Sequence, residues 1–61
     1  MTPLDITSNL NQIVSYKNVL YKFNSAIIKK DKQGNIYYLA EIKDLNANSV
    51  CFVKLEAVDI G

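Results

Sequence analysis

The sequence predicts a mainly β fold: five antiparallel strands curled into a small barrel, preceded by a short helix. Three observations carry this. Asp31-Lys32-Gln33-Gly34 is a turn sequence with strand-like residues on both sides, from Tyr21 to Lys43. Apolar residues alternate with period two through those flanks, as a half-buried strand requires. The alternation changes phase once, from odd positions at Tyr21 and Phe23 to even ones at Ala26 and Ile28. A one-residue bulge near Asn24-Ser25 absorbs that change and bends the strand, which is how a small sheet curls.

The elements follow in order. Thr2 reads as an N-cap, Pro3 as the first helical residue and Asp5 as an acid at the positive end of the dipole. Ile6, Leu10, Ile13 and Val14 recur at helical spacing, so a helix of two to three turns is expected from Pro3, ending before Val14. Its apolar stripe would plug an open end of the sheet; the rival is an arm that docks on a partner. Val14 and Tyr16 begin a short strand, and Lys17-Asn18 a tight turn in which Asn18 tolerates the left-handed conformation. Val19 to Lys30 is the long bent strand. In the turn after it, Gly34 takes the positive-φ position of a type I turn closed by a glycine bulge.

That loop pairs Asp31 with Asn35, Lys29 with Tyr37, Ile28 with Tyr38, Ile27 with Leu39 and Ala26 with Ala40. Ala26, Ile28, Ile36, Tyr38, Ala40 and Ile42 then share one apolar face, taken as the core side. Asn35 to Lys43 is the partner strand, and Asp44 to Asn48 a connector rich in turn formers. Ser49 to Leu55 forms the next strand, with Val50 and Phe52 on one face and Cys51, Val53 and Leu55 on the other. Glu56-Ala57-Val58 makes one helical turn before a last short strand at Asp59-Ile60. The whole is a single domain over residues 1–61, with 1–13 as helix or arm and 14–60 as barrel.

Several of these stretches together resemble a known architecture. Tyr16-Lys17-Asn18, Tyr21-Lys22-Phe23, the Gly34 hairpin, Tyr38-Leu39-Ala40-Glu41 and Val53-Lys54-Leu55-Glu56-Ala57-Val58 resemble a small Src-homology-3-like barrel over residues 13 to 60. The turn at Leu55-Glu56-Ala57-Val58 is similar to the one such barrels carry before their last strand. The chain also looks like short orphan proteins of phages and mobile elements in low-G+C bacteria. The aromatic and acidic pattern with which peptide-binding members hold proline-rich ligands is not present, so the resemblance implies a fold and no binding residues.

Composition narrows the function. Sixty-one residues bury only a modest core, so support from self-association is expected. One cysteine and no histidine provide neither an internal disulfide nor a zinc cluster, and no cofactor is expected. A single free thiol suits a reducing cytoplasm. The net charge is +1, and no apolar run is long enough to span a membrane. The acidic N-terminal stretch does not read as a signal peptide. Cys51 lies in an apolar strand, where a free cysteine is expected to be buried, and no histidine is there to activate it. Glu41, Asp44, Glu56 and Asp59 are scattered, with Asp44 serving its turn. An enzyme is therefore not expected.

Two surfaces are candidates. Ile27, Tyr37 and Leu39 fall opposite the core side. They form an interface with a protein partner or a second copy, or else a face that the N-terminal helix covers. The alternative is a nucleic-acid-binding accessory protein using Lys22, Lys29, Lys30 and Lys32. Ser15 to Gln33 holds five lysines against one acid, interleaved with Tyr16 and Tyr21, and Tyr37 follows in the partner strand. The absence of arginine, the residue best suited to bidentate phosphate and base contacts, counts against it.

Overall fold

The computed structural model describes all residues, 1–61. A short helix α1 starts as a 3-10 turn at Pro3–Asp5 and continues as one α-turn at Ile6–Asn9. The strands are β1 (Ile13–Tyr16), β2 (Val19–Lys30), β3 (Ile36–Asp44), β4 (Val50–Lys54) and β5 (Asp59–Ile60), with a 3-10 turn at Leu55–Ala57 before β5. They form one antiparallel sheet in the order β4-β3-β2-β1-β5.

Turn chemistry sets the register. Lys17 and Asn18 both have positive φ, so β1 and β2 join through a two-residue turn that pairs Tyr16 with Val19. At the second turn Gly34 has φ 89°, its N–H donates to the Asp31 carbonyl at 3.1 Å, and the Asp31 N–H donates to Asn35 at 2.9 Å. The Asp31 carboxylate accepts the N–H groups of Gln33 and Asn35, each at 2.9 Å. All four expected pairs between Ala26–Lys29 and Tyr37–Ala40 are present. The bulge is present as well. The register shifts between Phe23, which pairs with Ile42, and Ser25, which pairs with Glu41, leaving Asn24 over.

That extra residue turns Phe23 toward the same side as Ala26 and Ala40. Val14, Phe23, Ala40, Ile42, Leu55 and Val58 are buried there, and Met1, Ile6, Tyr38 and Val53 pack against them. The layer over the sheet is thin: α1 and the 3-10 turn, tied together by the Met1 main-chain nitrogen donating to the Val58 carbonyl.

The structure corrects four expectations. The sheet is open, with β4 and β5 as its edges. β5 is two residues long and pairs only with β1, so no strand is left to close a barrel. The helix is shorter than expected, ending at Asn9, because Ile13 and Val14 are claimed by β1. Ile28 and Ile36, placed on the core side, are 65% and 63% exposed. They face the right way, but β2 is twelve residues long and its tip passes beyond the thin covering layer. Cys51 is exposed, because β4 is an edge strand rather than an interior one.

Candidate interaction surface

Alternation from the buried pair Phe23 and Ile42 assigns the two faces of the sheet. Opposite the core lie Ile27 beside Leu39, with Phe52 of β4 on the next row and Tyr37 toward the tip. Ile27 and Leu39 are half-buried by their own neighbours, Tyr37 is 36% exposed and Phe52 is 53% exposed. Sequence reasoning had placed Phe52 on the same face as Val50 without joining it to this patch. The signal that joins them is the β3–β4 register, which sets Phe52 opposite Glu41 and one step from Leu39. The N-terminal helix does not cover this face. Its Met1 and Ile6 pack against the buried cluster on the other side.

Charge frames the patch. Lys22, Lys29, Lys43 and Lys54 share the outer face with two acids, Glu41 and Asp59. Glu41 is held by the bulge, accepting from Ser25 Oγ at 3.0 Å and Asn24 Nδ2 at 3.3 Å. Lys22 stands directly opposite Lys43, a like-charge pairing that a sheet does not favour.

The lysines singled out from sequence do not converge. Lys22 and Lys29 lie on the outer face, Lys30 points to the core side and Lys32 sits in the turn. Their proposed stacking partners are separated too. Tyr16 and Tyr21 pack edge-to-face at 6.2 Å on the core side, and Lys17 lies 5.4 Å over the Tyr16 ring. Tyr37 alone joins lysines on the outer face.

Most of the acids are occupied by main-chain donors or by the bulge. Asp44 Oδ1 accepts from Asn46 at 2.8 Å and Ala47 at 3.2 Å, and the Asp5 carboxylate accepts from the Thr2 N–H at 2.8 Å. Hydrogen bonds from Thr2 hold Asp5 below the ordinary carboxylate range, and those from Asn35 and Gln33 do the same for Asp31. No group of three or more Cys, Asp and Glu side chains is gathered for a metal ion.

β4 ends opposite Leu39, while β3 runs on to Ile36. A cleft of about 350 Å³ opens there between Met1–Pro3, the start of β3 and Lys54–Glu56. No helix is long and apolar enough to cross a membrane. Compared with known proteins, the chain matches no family model, no curated protein and no solved structure.

Proposed function

We propose that the chain is a non-enzymatic interaction module, a small Src-homology-3-like β fold acting in the cytoplasm by contact with protein. Its working surface is Ile27, Tyr37 and Leu39, extended by Phe52. One observation carries the reading: the only covering layer packs on the other side of the sheet, leaving this apolar row open. The long bent β2, the Gly34 hairpin and the 3-10 turn before the last strand support the finer fold assignment. Leu39→Glu tests the function. The variant is expected to keep its circular dichroism spectrum and to lose association in light scattering, or its partner in a pull-down. A strict monomer in which the variant folds and retains every partner overturns the reading.

A second reading, nucleic-acid binding, draws on Lys22 opposite Lys43. A phosphate between them would relieve their repulsion. It predicts salt-sensitive binding to DNA or RNA that Lys22→Glu weakens. No binding at low salt dismisses it.

A further inference from the structure

From the free edges of the sheet we infer that the chain forms a two-fold dimer, with β4 pairing antiparallel to β4 of a second copy. This rests on the reading that the chain works by protein contact, and it names both the partner and the register.

The Asp44 N–H donates to the Ser49 carbonyl at 2.8 Å, so Ser49 directs its main chain at β3. Antiparallel alternation then turns Cys51 and Val53 inward to β3. It leaves Val50, Phe52 and Lys54 with N–H and C=O directed outward. An edge of this kind is ordinarily guarded by charge, proline, a bulge or brevity. The other free edges are guarded. β5 is two residues long and carries Asp59, and the protruding hairpin tip carries Lys29, Lys30 and Lys32. β4 has no proline or bulge, and its one charge, Lys54, stands at its end. Its register with β3 is unbroken, and Val50-Cys51-Phe52-Val53 is uncharged, with Val50 46% and Phe52 53% exposed.

Charge decides the occupant. The uncharged run Val50 to Val53 gives an acidic or basic strand no advantage, and with its single Lys54 at the end it does not repel its own copy as the lysine-rich tip would. A two-fold axis at Phe52 sets Phe52 opposite Phe52 of the second copy and Val50 opposite its Lys54. Each outward N–H then meets an outward carbonyl. The two Lys54 ammonium groups lie at opposite ends, and each lysine stem runs along a valine. Other axes fail. One at Cys51 sets Lys54 against Asn48, whose φ of 53° takes it out of the strand. One at Val53 sets Val50 against Glu56 in the 3-10 turn. The pairing is isologous, so both edges are consumed and assembly stops at two. It also carries the Ile27–Leu39–Phe52 row across the axis as one continuous outer face.

Sedimentation across concentration is the test, with amide exchange as its local readout. The expected result is a monomer–dimer equilibrium in which the Val50, Phe52 and Lys54 amides become protected as concentration rises. Phe52→Pro removes an outward N–H and no bond to β3, so it is expected to abolish the dimer. Phe52→Thr, which keeps that N–H, retains part of it. Val53→Cys supplies a check if Phe52→Pro fails to fold. The new thiol lies opposite Cys51 of the second copy, and mild oxidation gives a covalent dimer. In the unaltered chain the two Cys51 residues are offset and do not bridge. A monomer at every concentration with those three amides unprotected overturns the inference. So does a dimer indifferent to Phe52→Pro, or one that oxidises through Cys51 alone. A monomer that still holds another protein through Leu39 overturns the dimer and leaves the interaction reading standing; a monomer without any partner overturns both.

Discussion

The two phenylalanines make the sharpest test of the fold. Phe23 is the largest fully buried side chain in a core of six residues, whereas Phe52 is 53% exposed on an edge strand. Truncating a buried phenylalanine to alanine costs about 3–5 kcal/mol. A domain of this length holds only about 3–9 kcal/mol in all, at 0.05–0.15 kcal/mol per residue. Phe23→Ala is therefore expected to remove at least about a third of the stability, and all of it at the lower end of that range. Phe52→Ala in the monomer is expected to cost about 1 kcal/mol or less, as surface changes do. Urea unfolding followed by far-ultraviolet circular dichroism reads both. The protein is kept dilute, so that any dimer does not add its own concentration-dependent term. Equal losses at the two positions, or a loss below about 1 kcal/mol at Phe23, would show that the bulge does not turn Phe23 into the core.

Three further predictions follow from local geometry. At Gly34 an added Cβ would meet only the Lys30 side chain, at 3.9 Å, so Gly34→Ala costs the left-handed backbone alone. That is about 1–2 kcal/mol, read as a shift in the urea midpoint without a change of slope. Deleting Asn24 removes the bulge, so either Phe23 or Ala26 must leave the core side; an NMR spectrum with collapsed dispersion is expected, and a well-dispersed one would refute the bulge's role. Asp5 and Asp31 both have folded pKa values lowered from 3.8. Their contribution is present above the unfolded value and is lost as pH falls through the lowered one. Stability should therefore decline below about pH 4, and Asp31→Asn, which keeps an acceptor for the turn, should flatten part of that decline in urea midpoints measured against pH.

How much of this was legible in the sequence divides along the line between local and distant causes. The Asp31–Gly34 turn determines its own register, because a carboxylate, a positive-φ glycine and two N–H groups lie within five residues. The bulge was legible for a similar reason: the phase of the apolar pattern must be the same before and after it. Alternation reports which way Ile28 and Ile36 face, but not whether anything lies over them. Coverage depends on a helix far away in the chain, and that helix stops at Asn9. Cys51 misled for the same cause. An apolar run looks alike in an interior strand and an edge strand, and the difference lies in the pairing order. The Ile27, Tyr37 and Leu39 face was recognised, while its extension through Phe52 required knowing that β4 lies beside β3.

These physical facts bear on one another. A layer as thin as α1 and one 3-10 turn cannot bury both faces of a five-stranded sheet, so apolar surface is left over. Where that surface lies is not random. Near the tip, Ile28 and Ile36 share the core side with Lys30, while Lys29 lies on the other face and Lys32 in the turn. Along β4 the residues Val50 to Val53 are uncharged and in unbroken register with β3, and the outward main-chain groups match their own image about Phe52. If a second copy pairs along β4 as inferred above, the lysines of the tip stand where that copy would otherwise add in the wrong place, and Lys54 at the end of β4 lies away from the axis.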